Sequence, residues 1–452
     1  MKSWKNWAGT TICKPADIYY PTSQDDIKQI IQQAATQSLP IKVVGHGNSY
    51  NDNFHTTGIL ISLKKFNHIL DIDTQRQTIT IQAGAALMDI VNAAADKGLG
   101  FSSLGTNMFD NAAGACFTGH HGSGTNYGIL SSFLESFDLL TPTGKLLHVK
   151  KGSMLYDALG VNLGAAGIVT QLTFKLEPQF KLHQTTYPTT LSDFSKHYKT
   201  LCNTNDHVKL IWGPHTQTYQ CWLASRTDKS CDSKFKHWKG NVIDGLAINN
   251  VVHAGLLYLS SLRPSFVRSI NKWLSRYFLK PKGSLVGWGN DIFYLPHLLK
   301  QDAVEYAIPM DKTQAFLMDL QQLVNDGKFQ VQFPIEVRFV KQDNFWLSPA
   351  YQQDMCYVGT KSHLLPGQSR HYDAYFKAVS DLVEQYNGRP HWGKQLYSST
   401  DYLQQVFPKW KEFWTLIHIL DPAGLCRNRW QENLMYQPTQ AECDAVKQLV
   451  SL

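Results

Sequence analysis

At 452 residues the chain is long enough for two or three domains with a large buried core, and 43% hydrophobic against 17% charged residues excludes a disordered or fibrous polymer. A formal net charge of +7 is modest for this length, and the lysines and arginines form neither a stripe nor a recognition motif, which excludes a nucleic-acid binder. The start of the chain has no leader-like apolar stretch, no run of about 18 apolar residues follows, and the eight cysteines include no CxxC pair, so we expect a cytoplasmic protein with free thiols and no metal site.

In chain order, Thr22 and Ser23 cap and Asp25 and Asp26 open a helix whose Ile27, Ile30, Ile31 and Ala34 share one face. Strands are predicted over 41–44, 58–63 and 78–82, then a helix over 86–97 stopped by Gly98. The first of these strands, ending at Val44, runs into Gly45, His46, Gly47, Asn48, Ser49 and Tyr50. Glycines at 45 and 47 permit close approach, and consecutive backbone N–H groups in such a turn form a concavity suited to a diphosphate.

From Gly98 to Gly128 the sequence is small and polar with hardly a charge, unlike a solvated loop. It suits a chain lying against a large flat ligand, admitted closely by Gly105, Gly114, Ala115 and Gly119. A third such piece, Asn162 to Thr173, ends in glycines and a strand. For any one segment, tight helix-to-strand packing is the simpler explanation; three in succession point to a ligand. No G-x-G-x-x-G opens a helix, which disfavours a nicotinamide dinucleotide fold. From Gln179 the texture changes to longer amphipathic stretches and strands. Lys234 to Lys282 interleaves aromatic and basic residues, which suits a membrane surface or, with about twice the weight, a pair of cap helices with a solvated basic face.

These features together resemble the vanillyl-alcohol oxidase type of flavoprotein, and within it the sugar-1,4-lactone and alditol oxidases. The carriers are Asn6 to Gly9, Gly45 to Asp52, Leu104 to Thr106, Ala113 to Ala115, His121 to Gly124, Gly164 to Thr170, Glu336 to Arg338, Trp346 to Tyr351, Arg389 to Lys394, and Asp421-Pro422. The resemblance implies an α+β protein. A two-lobed FAD-binding domain over 1–178 is followed by an α+β substrate-binding cap over 179–420 and a return to the first domain over 421–452. It assigns FAD contacts to Val44 through Tyr50, Gly105, Thr106, Ala113, Gly114, Ala115, Thr118, His121, Gly122, Gly167 and Ile168.

The chemistry expected of the protein is to hold the flavin, present a substrate C–H to it, and offset the negative charge of the reduced ring. Glu336 and Arg338 are two apart on a strand-like run and share a face. Such a pair is more often a structural salt bridge, but the resemblance places it in the pocket, with Arg338 stabilising charge or polarising the substrate oxygen and Glu336 binding a hydroxyl or orienting Arg338. The same resemblance sets Lys394 beside the ring, and His391 is a second-ranked acid or base.

Two departures matter. The family's flavin-linking histidine aligns with Asn48, so FAD is expected without a covalent bond, His46 being the other conceivable attachment. The histidine that alditol oxidases show after WLSPAY is absent, which puts alditol specificity in doubt. Gly105 matches a position bordering oxygen access in the family, where glycine favours an oxidase.

The leading expectation is therefore FAD-dependent oxidation of a sugar lactone or polyol, with O2 as acceptor and hydrogen peroxide as product. The alternatives are a dehydrogenase of a lipid-linked or bulky sugar at the membrane and a flavin-holding protein without turnover. The oligomeric state, monomer or dimer, is open.

Overall fold

The computed structural model describes residues 3–233, 255–256, 258–259, 263–279, 282–294, 299–363 and 372–451. Of the region 234–282, where a pair of cap helices is expected, residues 234–254, 257, 260–262 and 280–281 lie outside the described residues, and one helix is seen at 267–274.

The first domain carries two sheets. Strands β1 (Asp17–Tyr19), β2 (Ile41–Val44) and β3 (Ile59–Ser62) form a parallel sheet in the order β1-β3-β2. Helix α1 (Gln24–Gln37) crosses between β1 and β2 and buries Ile27, Ile30, Ile31 and Ala34. Its start is fixed by a capping box in which Ser23 accepts from the Asp26 N–H and Asp26 accepts from the Ser23 N–H, an arrangement worth about 1 kcal/mol.

A second, five-stranded antiparallel sheet contains β4 (Ile69–Asp73), β5 (Thr78–Gln82), β6 (Leu134–Leu140), β7 (Leu146–Lys150) and β8 (Ile168–Lys175), ordered β7-β6-β8-β5-β4. Helix α2 (Leu87–Ala95) ends before Gly98, whose φ of 70° turns the chain. The small-residue segment then runs through helix α3 (Ala112–Phe117) between the sheets.

The cap is an antiparallel sheet of eight strands. They are β9 (Lys181–Thr189), β10 (His207–Trp212), β11 (Tyr219–Arg226), β12 (Gly283–Trp288), β13 (Gln301–Pro309), β14 (Ile335–Val340), β15 (Met355–His363) and β16 (Arg389–Pro390), in the order β12-β9-β11-β10-β14-β15-β13-β16. Period-two alternation divides its faces. Val304, Tyr306, Ile308, Ile335, Val337, Phe339, Cys356 and Val358 bury against helices α4 (Leu191–Thr204), α6 (Thr313–Asn325) and α7 (Asp373–Gln385) in one core. Between them, Glu305, Glu336, Arg338, Gly359 and Lys361 face the other way, toward the first domain. Helix α5 (Val267–Leu274) sits at the end of this sheet, where Asn271 Nδ2 donates to the carbonyls of Pro214 and Val331.

The chain rejoins the first core earlier than residue 421. Trp392, Tyr402, Leu403, Trp410, Phe413 and Trp414 already pack with the first-domain residues, carried on helices α8 (Thr400–Val406) and α9 (Trp410–Leu420). Helix α10 (Gln440–Val450) adds Val446 and Val450 to the same core. The buried carboxylate of Asp421 accepts from the N–H groups of Leu425 and Cys426, and Lys42 on β2 donates to the Cys426 carbonyl and Gln431 Oε1, which ties the last segment to the first sheet. Among the described residues no helix is long and apolar enough to cross a membrane.

Candidate active site

Between the small-residue segments and the charged face of the cap sheet lies a cavity of about 570 Å³, in the range of small-molecule and cofactor sites. Val44, Gly45, His46, Gly47, Asn48, Ser49 and Tyr50 line it, and so do Gly105, Thr106, Ala113, Gly114, Ala115, Thr118, His121, Gly167 and Ile168. Gly122 does not. A Cβ there would stand 2.2 Å from Ser103 Oγ and 2.8 Å from the Leu104 carbonyl oxygen, so this glycine serves close packing behind the wall.

The loop after β2 turns at Gly47 with φ 75°, a conformation that disfavours any side chain, and a Cβ would also meet the Trp4 ring at 2.6 Å. The same loop is bound to the turn after β16. Tyr50 N–H donates to the Gly393 carbonyl at 3.0 Å, and Asn51 Nδ2 donates to the carbonyls of Trp392 and Lys394. Lys394 is thereby brought to the cavity, its Nζ 5.0 Å from the centre of the Tyr50 ring.

The cap wall holds a linked set of charges. Glu336 accepts from Arg338 Nη2 at 2.6 Å through one oxygen and from Lys361 Nζ at 2.8 Å through the other. Arg338 Nη2 also donates to Thr106 Oγ1 at 3.3 Å, joining the cap to the first domain. In register, Glu336 stands opposite Gly359, and Gly359 stands opposite Glu305 on β13, so a glycine separates the two carboxylates. Lys209, cross-strand from Arg338, is pulled down to about 7 by burial, and the Arg338 charge acts in the same direction.

A second cluster joins both domains. His121, Glu305 and His391 bring metal-ligating atoms within 4.8 Å of one another, and Lys394 Nζ is 3.9 Å from Glu305 Oε2. Burial alone would raise the Glu305 pKa, but the bond from His121 and the charge of Lys394 outweigh it and hold the carboxyl well below the usual range. His391 is pushed down to about 3 by burial. Its Nδ1 accepts the Gly393 N–H at 3.0 Å, so the neutral ring carries its proton on Nε2 and presents a donor. His391, the second-ranked acid or base, thus offers its Nε2 as a hydrogen-bond donor.

Glu305, Lys361, Asp110 and His120 also line this cavity, and sequence reasoning passed over all four. Asn48 Nδ2 donates to Asp110 Oδ1 at 2.5 Å, and burial raises Asp110 to about 6. His120 is held well below its ordinary value, first by burial and then by the surrounding cations, and among the described residues its buried Nε2 has no hydrogen-bond partner. That atom lies 2.3 Å from where a Cβ on Gly105 would be. Gly105 thus packs against an imidazole that leaves no room for a side chain there. A signal for Glu305 was present in the strand-like alternation of QDAVEYAIP, where the acid breaks an apolar run.

A family model described as "D-arabinono-1,4-lactone oxidase" matches residues 172–434, and one described as "FAD binding domain" matches residues 15–150. L-gulonolactone oxidase of Bos taurus is 29% identical over 436 residues, covering 96% of this chain and 98% of that one. L-gulono-1,4-lactone dehydrogenase of Mycobacterium tuberculosis is 27% identical over 434 residues, with coverage of 96% and 99%. Among solved structures, a cholesterol oxidase from B. sterolicum superposes with a TM-score of 0.74 at 15% identity over 96% of each chain, a likeness of fold.

Proposed function

The chain belongs to the D-arabinono-1,4-lactone oxidase family, and from that premise we propose that it is an FAD-dependent oxidoreductase that oxidises a carbinol of a sugar-1,4-lactone. The observation that carries this reading is the cavity itself: a small-residue loop wall from the FAD-binding domain faces a cap wall bearing Glu336, Arg338 and Lys361, with Lys394 between them. The competing expectation of a lipid-linked sugar is not favoured, since both enzymes above are named for sugar lactones.

The residues present fit FAD. The backbone of the turn around Gly47 lines the cavity and suits a diphosphate, and small side chains at Ala113, Gly114 and Ala115 give a flat wall to a ring system. We propose that Val44 through Tyr50, Gly105, Thr106, Ala113 to Ala115, Thr118, His121, Gly167 and Ile168 hold it, without a covalent bond, because Asn48 stands where the linking histidine would be and spends its amide on Asp110. When bound, the cofactor supplies the two-electron acceptor for the substrate's carbinol hydrogen.

In this reading Arg338, fixed by Glu336 and Thr106, donates to the substrate oxygen and stabilises the charge that develops there. Glu336 lies between two cations and is a poor base; it accepts a substrate hydroxyl and sets the direction of Arg338. Lys394 supplies a fixed positive charge inside the cavity, and the His391 Nε2–H adds a neutral donor. Oxygen is the proposed acceptor, supported by the 29% identity to an enzyme named as an oxidase.

The test is an absorbance spectrum of the purified protein before and after acid precipitation, followed by anaerobic addition of aldono-1,4-lactones. A yellow supernatant and bleaching by a lactone, with peroxide released on admitting air, are expected. A colourless protein that FAD does not restore would overturn the reading. Wild-type bleaching rates in Lys394→Met or Arg338→Ala would overturn the assignment of those residues.

A further inference from the structure

The stretch from Gly245 to Asn290 contains no Asp or Glu, while Arg263, Arg268, Lys272, Arg276, Lys280 and Lys282 fall within it. Among the described residues of this stretch, 264–279 form a helical segment centred on α5, ahead of β12. Its side chains divide into three stripes. Val267, Asn271 and Ser275 are buried against the end of the cap sheet. Arg268, Lys272 and Arg276, each four residues after the last, are exposed along one flank. Along the other flank stand Phe266, Trp273 and Tyr277, exposed by 45%, 49% and 54%. The Trp273 and Tyr277 rings stack with centroids 5.7 Å apart and planes 11° apart. Tyr258 and Leu259 add further exposed apolar surface just upstream in the chain.

A solvated helix face has no physical use for a tryptophan and a phenylalanine half in water. The combination of exposed aromatic rings, a parallel row of cations and an absence of acids is what an interfacial helix presents to a headgroup layer. The rings enter the acyl boundary, and the lysines and arginines meet anionic headgroups. A second copy of the chain would be a poor occupant, because two such faces would bring like-charged rows together, with Asp326 beside Arg268 offsetting them only in part.

We propose that this face of the cap docks the protein on an anionic lipid bilayer. It lies flat on the surface, since no described helix is long and apolar enough to cross. The inference rests on this surface alone, so its failure and the failure of the lactone reading are separate results.

The experiment is co-sedimentation of the full-length, flavin-loaded protein with sucrose-loaded vesicles of phosphatidylcholine alone or of phosphatidylcholine mixed equally with phosphatidylglycerol. We expect at least about tenfold stronger partitioning onto the mixed vesicles at low salt, weakening as salt is added. R268Q/K272Q/R276Q should lose about a hundredfold, on the scale of roughly fivefold for each charge removed. F266S/W273S, which keeps all the charges, should lose binding on the same vesicles while retaining flavin absorbance and near-UV circular dichroism. No sedimentation with either vesicle would overturn the proposal, as would wild-type binding by both variants. Sedimentation velocity showing a dimer that F266S/W273S dissociates would also overturn it, by assigning the face to a second copy.

Discussion

His121 Nε2 stands 3.3 Å from Glu305 Oε1, while its Nδ1 lies 3.0 Å from the Gly122 carbonyl oxygen. A carbonyl only accepts, so Nδ1 carries a hydrogen there, and the Nε2 contact with a carboxylate is attractive only when a proton lies between them. Glu305 thus links His121 of the first domain to Lys394, whose Nζ lies 3.9 Å from its other oxygen. Glu305→Gln keeps the shape and removes the charge that holds both cations. Lactone-dependent flavin bleaching should slow by about a hundredfold, and its pH profile should change shape. Stopped-flow bleaching across pH checks this; an unchanged rate and profile would reduce Glu305 to a structural acid.

Lys361 and Arg338 compete for one carboxylate, each holding a separate oxygen of Glu336. Lys361→Met takes the cation off one oxygen of Glu336, so substrate hydroxyls should meet a less ordered acceptor. The expected result is a KM raised by about tenfold with a smaller change in kcat, the pattern of lost ground-state binding. Steady-state kinetics on the lactone that bleaches the flavin fastest decides it: a fall in kcat at constant KM would instead make Lys361 part of the chemical step.

Asp110 makes stability depend on pH. Its pKa is raised to about 6 by burial, against the opposing amide of Asn48 and the charge of Lys394. A group raised in the folded state contributes stability that is complete below its unfolded value, near 4, and that is lost as pH rises through 6. Asp110→Asn should remove this dependence, so that the difference in unfolding free energy between variant and wild type moves in the variant's favour by up to about 3 kcal/mol from pH 4 to pH 8. Urea unfolding at both pH values measures it. A pH-independent difference would mean that the Asn48 to Asp110 contact is solvated.

Much of this site was legible because its signals are local. A strand ending at Val44 followed by Gly45 and Gly47 is a short-range pattern, and so is the two-residue spacing that sets Glu336 and Arg338 on one face. Glu305, Lys361 and Asp110 were missed for the opposite reason. Their meaning comes from register between β13, β14 and β15, and from a 62-residue reach between Asn48 and Asp110, which no window of sequence contains. Gly122 shows the complementary error: a glycine inside a ligand-facing segment can serve the packing behind it. Trp410 and Trp414 stand on an amphipathic helix whose apolar face would suit either domain, and only the fold says which residues that face meets.

His120 and Gly105 offer a last test, of geometry first. A methyl on Gly105 would lie 2.3 Å from His120 Nε2 and 3.0 Å from the His121 carbonyl oxygen, so Gly105→Ala overpacks the wall. The expected cost is about 1–3 kcal/mol, visible as a lower Tm and weaker FAD retention. His120→Ala removes the clashing ring together with an imidazole nitrogen that has no partner, so on its own it should cost less than an ordinary deletion of that size. In the double variant the new methyl occupies space that the imidazole vacates. The two changes should therefore couple favourably, by at least about 1 kcal/mol in a double-mutant cycle. Additive effects would mean that the carbonyl of His121, not the ring of His120, is what keeps position 105 a glycine.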